Sequence, residues 1–153
     1  METPLKRRDF LLSASATLLA GPALAGSDTV IRVVKSPTCG CCTAWVAHVQ
    51  EAGFTVEAQD VDQDALYAVK DRLGITPELS GCHTALVDDY FIEGHVPASD
   101  IARLLAERPD AQGLTVPGMP MSSPGMAGPG AGDAFDTLLV ANDGSTSIFA
   151  RHS

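Results

Sequence analysis

The sequence predicts an α/β fold, one mixed sheet with helices packed on it, and three observations predict it. Short apolar runs of strand length alternate with segments whose apolar residues recur three or four positions apart. A first strand hands over directly to a helix through a cysteine-rich corner, Ser36-Pro37-Thr38-Cys39-Gly40-Cys41-Cys42. The composition allows a core, with 45% of the 153 residues hydrophobic and 19% charged.

Val30-Ile31-Arg32-Val33-Val34 is the first expected strand. From Cys41 to about Ala52 a helix follows, with Trp45, Val46 and Val49 as its apolar stripe, and Gly53 ends it. Phe54 to Ala58 alternates as a second strand. Asp62 or Asp64 caps a second helix carrying Leu66, Val69 and Leu73 until Gly74. Ile75 to Gly81, which contains Pro77, connects to a third strand, His83 to Val87. Asp88-Asp89 turns into a fourth strand, Tyr90 to Glu93. Pro97 opens a third helix with the stripe Ile101, Leu104 and Leu105, and Pro109 follows it. The order β-α-β-α-β-β-α with a cysteine pair at its first corner is the thioredoxin-like arrangement. It sets that corner at the carboxyl end of the first strand, where open α/β sheets build their sites.

After Ala111 the composition changes. Val116 to Met126 holds three of the four methionines among prolines and glycines, and Gly128 to Gly132 continues it. Such density of Pro and Gly predicts a loop. Phe135 to Ala141 and Thr146 to Phe149 read as a hairpin around Asn142-Asp143-Gly144-Ser145. The expected organisation is an export signal over 1–25, a thioredoxin-like domain over 26–110, and a Pro/Gly/Met-rich loop with a C-terminal hairpin over 111–153 packed on that domain.

Lys6-Arg7-Arg8 forms the basic start of the export signal. Leu11 to Leu24 is its apolar part, and Ala23-Leu24-Ala25 its small-residue cleavage site. The apolar stretch is short for a membrane span. Arg7-Arg8-Asp9-Phe10-Leu11 also resembles a twin-arginine signal. The expectation is a periplasmic protein with no membrane association after cleavage. A net charge of −9 argues against nucleic acid, whose phosphates would repel it.

Cys39, Cys41 and Cys42 are the first residues that can carry chemistry. At a helix N-terminus, free backbone N–H groups and the helix dipole favour thiolates, which are nucleophiles and soft metal ligands. Gly40 lets the chain bend between them. In an oxidising compartment Cys39 and Cys42 can pair as a structural or a redox C-x-x-C disulfide. The same sulfurs can hold a soft metal. A structural zinc site would want a second ligand pair near in sequence, which is absent. Cys82, next to His83, precedes the strand expected beside the first one and so can approach the corner. Met119, Met121 and Met126 lie in a Pro/Gly loop instead of an apolar stripe, and thioethers combined with thiolates select Cu(I). His48 and His95 are weaker candidates, His152 carries no assignment, and Trp45 is core or a cover over the corner.

Together with Trp45, Gly53-Phe54, Cys82-His83-Thr84-Ala85, Tyr90, Glu93-Gly94-His95-Val96-Pro97, Pro117-Gly118-Met119-Pro120 and Ser123-Pro124-Gly125-Met126, the cysteine corner resembles the CopG-like periplasmic copper-resistance proteins over about residues 30–150. The resemblance implies a thioredoxin-like fold and copper bound by Cys39, Cys41, Cys42 and Cys82, with Met119 or Met126 as accessory ligands. Gly81, Asp89, Met121, Ser122 and Ala127 depart from the family's usual residues, and none of these removes a sulfur. The expected cargo is Cu(I), in a cluster whose shared thiolates reduce excess negative charge. The expected partners are copper ions and periplasmic copper-handling proteins, to which a chaperone would pass the metal. The rival function is a thiol–disulfide or copper-linked oxidoreductase, with Cys39 as nucleophile and Cys42 resolving. That rival leaves Cys41 and Cys82 without a task.

Overall fold

The computed structural model describes residues 29–127, 132 and 134–153. The expected signal over 1–25 and the loop residues 128–131 lie outside them. The chain runs β1 (Val30–Lys35), α1 (Gly40–Glu51), β2 (Thr55–Asp60), α2 (Gln63–Arg72), β3 (Thr84–Val87), β4 (Tyr90–Gly94), α3 (Ala98–Glu107), β5 (Gly113–Val116), β6 (Phe135–Val140) and β7 (Thr146–His152). All seven strands form one mixed sheet in the order β2-β1-β3-β4-β5-β6-β7. β1 pairs parallel with β2 and antiparallel with β3, which pairs antiparallel with β4. Among the described residues no helix is long and apolar enough to cross a membrane.

The first seven elements follow the expected order, but the sheet is larger than expected. β5 lies where the sequence reads as the start of an irregular tract. It has only four residues, with Gly113 at its head and Pro117 directly after it, so its apolar signal is short. Gly113 is required there, because a Cβ would sit 2.1 Å from the Phe91 carbonyl oxygen. β5 pairs parallel with β4, and α3 makes the crossover between them. It pairs antiparallel with β6, so the C-terminal hairpin continues the same sheet.

Burial follows position in the sheet. β4 and β5, in its middle, are buried at every residue, while β2 at one edge is almost wholly exposed. Ile31 and Val33 of β1, Ala85 and Ile92 of the β3–β4 hairpin, and Leu114 and Val116 of β5 meet Trp45 and Val49 of α1 and Ile101 and Leu104 of α3 in one core. Trp45 is buried, and its indole N–H donates to the Val96 carbonyl at 2.8 Å. Asp62 caps α2 by accepting from the Ala65 N–H at 2.8 Å. The buried face of α2 differs from the expected stripe. It runs through Leu66 and Lys70, while Val69 and Leu73 are only half-buried.

Candidate metal centre

β1 ends at Lys35, and a short turn carries the chain into α1. Cys39 is its N-cap residue, and Cys41 and Cys42 lie in its first turn. No side chain caps this end, so the first-turn amides are left without a side-chain acceptor. Gly40 is less critical than its sequence position suggests. It has no positive φ, and a Cβ there would meet nothing within 4 Å.

Cys82 arrives from the loop before β3, and a buried charged network fixes that loop. Lys70 and Glu93 form a salt bridge with side-chain exposures of 5% and 0%. Glu93 also accepts the Gly81 N–H at 2.7 Å, while Lys70 donates to the Gly81 carbonyl at 3.3 Å. Thr84 joins both partners, donating to Glu93 at 2.6 Å and accepting from Lys70 at 3.1 Å. Both backbone polar groups of the residue before Cys82 are thus held by one ion pair. Sequence reading missed this network. The available signal was a lysine one helical turn after Leu66, on the apolar side of α2.

Four sulfurs converge. Cys39 and Cys42 are disulfide-bonded, and Cys41 and Cys82 are free thiols. Cys41 Sγ lies 3.5 Å from Cys39 Sγ and 3.8 Å from Cys82 Sγ. Cys82 Sγ lies 3.4 Å from Cys42 Sγ. All four Sγ atoms are within 4.8 Å of one another. Each bonded cysteine therefore has a free thiol against it.

Two histidines complete the surroundings. Gly94 ends β4 with φ +70° and crosses Gly81 so closely that a Cβ on Gly81 would sit 2.5 Å from the Gly94 Cα. That crossing brings the next residues together, and His95 Nε2 is 2.9 Å from Cys82 Sγ. The other ring nitrogen, Nδ1, donates to the Pro124 carbonyl at 2.6 Å. His83, fully buried, stacks on Trp45 with ring centroids 4.3 Å apart, and its Nδ1 is 3.5 Å from Cys82 Sγ.

Burial, followed by the neighbouring Cys41, raises the Cys82 thiol to about 12. Burial thus keeps Cys82 as the protonated thiol at neutral pH. Burial lowers His95, partly offset by the bond to Pro124. It lowers His83 well below the usual range, helped by the proximity of His95, Lys70 and Lys35. Both imidazoles are neutral near pH 7.

The Pro-Gly-Met tract touches this corner through the Pro124 carbonyl on His95 and, next to it, through Gly125. Gly125, with φ +85°, packs on the first turn of α1, where a Cβ would lie 2.7 Å from the Trp45 nitrogen and 2.8 Å from the Cys41 carbonyl oxygen. Met126 follows it and is half-buried, whereas Met119 and Met121 are 54% and 49% exposed. His48 lies outside the centre and accepts the Ala98 N–H at the start of α3 at 3.1 Å. His152, given no role from sequence, contacts buried Asp100 at 2.9 Å and fastens β7 to α3.

A solved structure described as the copper resistance protein CopG, form 2, is similar to this chain at 41% identity and a TM-score of 0.74. The match covers 82% of this chain and 98% of that one. The chain belongs to the CopG family. CopG form 1 matches at 40% identity and a TM-score of 0.73, covering 80% of this chain and 96% of the other. Residues 79–126, which take in Cys82, His95 and the Pro-Gly-Met tract, also match the family described as Protein of unknown function, DUF411. A search of curated proteins found no match.

Proposed function

We propose that this CopG-family chain is a periplasmic copper-binding protein of copper resistance, holding Cu(I) through Cys39, Cys41, Cys42 and Cys82. The convergence of four sulfurs within 4.8 Å carries this reading. The donor set suits the metal. Thiolates favour Cu(I), and the site offers no carboxylate among those atoms. Reducing the Cys39–Cys42 bond yields two more thiolates beside Cys41 and Cys82. Four negative charges at such spacing repel one another, which favours several cuprous ions bridged by shared sulfurs over a single ion. The flanking tract supplies Met126, or the exposed Met119, as an uncharged accessory ligand.

The export signal over 1–25 and the thioredoxin-like character of the first seven elements belong to the same reading. Its support is the element order, with the cysteine corner following β1. Periplasmic copper-handling proteins are the partners that would deliver or accept the ion.

The experiment is anaerobic Cu(I) titration of the reduced protein, with copper and thiol measured together. Retained copper that falls sharply in Cys82→Ser is expected. No retained copper, or retention undiminished in that variant, counts against the four-cysteine site.

One observation favours a second reading. The bonded pair is Cys39–Cys42, the C-x-x-C combination of thiol–disulfide oxidoreductases. An oxidoreductase of that kind would exchange with dithiols in a Cys41→Ser, Cys82→Ser double variant. The copper reading expects that variant to be inert toward copper.

A further inference from the structure

We infer that Cys41 and Cys82 form a second, long-range disulfide on oxidation, which closes the four-sulfur centre by taking up its last two thiols. The bond itself needs no metal. Its consequence, a centre locked against soft metal, rests on the four-cysteine copper reading.

Cys41 and Cys82 are the two free cysteines, and their sulfurs are 3.8 Å apart. A disulfide needs about 2.05 Å, so the pair starts from van der Waals contact. Both backbones are already held. Cys41 lies in the first turn of α1, with Gly125 packed against its carbonyl oxygen. Cys82 follows Gly81, whose N–H and carbonyl are bonded by Glu93 and Lys70. The two residues are 41 positions apart, yet the fold has already closed that loop, so little chain entropy remains to be lost.

Four cysteines allow three ways of making two bonds. Joining Cys41 to Cys42 fails, because consecutive side chains on a helix do not face each other. Joining Cys39 to Cys41 and Cys42 to Cys82 must first break the existing Cys39–Cys42 bond. Joining Cys41 to Cys82 leaves that bond intact and uses the sulfurs that are free.

The oxidant is a hydroperoxide. Cys82 Sγ is ringed by His95 Nε2 at 2.9 Å, Cys42 Sγ at 3.4 Å and His83 Nδ1 at 3.5 Å, so Cys41 is the sulfur that meets it. With hydrogen peroxide the O–O bond breaks, Cys41 becomes a sulfenic acid and one water leaves. Cys82 then attacks the Cys41 sulfur. The S–S bond forms, the S–OH bond breaks, and the hydroxyl leaves with the Cys82 proton as a second water. The two thiols lose two electrons in all, and the peroxide gains them. Contact between the sulfurs offsets the slow reaction of a buried thiol. The product has no thiol left among its four cysteines, so reopening the centre takes one dithiol for each bond.

The test treats the purified protein, its Cys39–Cys42 bond intact, with equimolar hydrogen peroxide and maps the product by mass spectrometry. Trypsin leaves Cys39, Cys41 and Cys42 on residues 36–70 and Cys82 on residues 73–103. The expected product is monomeric, has lost two hydrogens and both free thiols, and carries these two peptides joined. A Cys39→Ser, Cys42→Ser double variant, which keeps only the inferred pair, should join them too. In Cys41→Ser they should stay apart. The oxidised wild type should retain no Cu(I) until a dithiol is added.

Sulfinic acid in place of the bond, a covalent dimer, or peptides left apart in the wild type overturns the inference. Peptides joined in Cys41→Ser overturn it in favour of Cys82 pairing with Cys39 or Cys42. Copper retained equally by oxidised and reduced protein overturns the lock. Failure of the reduced protein to bind copper counts against the copper reading and leaves the disulfide standing. The double-variant map decides the pairing even where Cys41→Ser folds poorly.

Discussion

Replacing Lys70 with Met tests whether the buried ion pair sets the position of Cys82. Lys70→Met keeps most of the side chain's length and removes its charge. Among the described residues, Glu93 then stays fully buried with its carboxylate facing the Gly81 N–H and the Thr84 hydroxyl. Removing one partner of a buried pair costs about 3–5 kcal/mol, because the other charge is left uncompensated. Two further contacts of Lys70, to Gly81 and Thr84, disappear as well, which puts the expected loss toward the upper end. Against a total stability of about 5–15 kcal/mol that is a large fraction. The assay is urea unfolding with the disulfide intact, for Lys70→Met, Glu93→Gln and the double variant. The Glu93→Gln change retains an acceptor for the Gly81 N–H without a charge, so the double variant should be less damaged than the singles sum to. A coupling of about 1–3 kcal/mol is expected for groups in direct contact. A loss below about 1 kcal/mol for Lys70→Met, or strict additivity, would refute the argument that this pair is a coupled clamp.

Gly94→Ala forces a Cβ to within 2.6 Å of the Val116 carbonyl oxygen at φ +70°; the left-handed backbone costs about 1–2 kcal/mol and the overpacking about 1–3 kcal/mol more, measurable as a lowered urea midpoint. Gly53→Ala is the control, since Gly53 also has positive φ but open space around it, and only the backbone cost of about 1 kcal/mol should appear. Because the Cys82 thiol is raised to about 12, its alkylation by iodoacetamide in the disulfide form should keep rising about tenfold per pH unit beyond about pH 9, where an ordinary cysteine levels off; a plateau near that pH would show that burial does not hold the proton. The sign for stability follows from the same raised value. Folding stabilisation from this thiol is full below the unfolded value near 9 and is lost as pH climbs towards 12.

The cysteine corner was legible because its information is local. Strand, turn and helix occupy consecutive residues, and Cys39, Cys41 and Cys42 need no long-range contact to come together. Cys82 was within reach of the sequence, since β3 lies beside β1. Its contact with His95 was not, because it depends on two glycine backbones crossing where side chains are absent. Lys70 was hidden by the habit of reading lysine as solvated, and only its helical spacing from Leu66 hinted otherwise. β5 was hidden by its length, with four residues enclosed between the glycine at its head and Pro117. The methionine tract showed its composition plainly, but not that Gly125 would pack on α1 or that the Pro124 carbonyl would meet His95.

On the copper reading proposed above, the bonded state of Cys39 and Cys42 would tie metal capture to electron supply. Two electrons must enter this bond before all four cysteines can serve as thiolates. By the same linkage, copper that binds only the dithiol form draws the pair toward reduction. At a free copper level about 1,000 times its dissociation constant, that pull is about 4.1 kcal/mol. For a two-electron couple it equals a rise of about 90 mV in apparent reduction potential. A cell's reductant and its copper load would then act on this one bond as two inputs to a single balance, each changing how much of the other is needed.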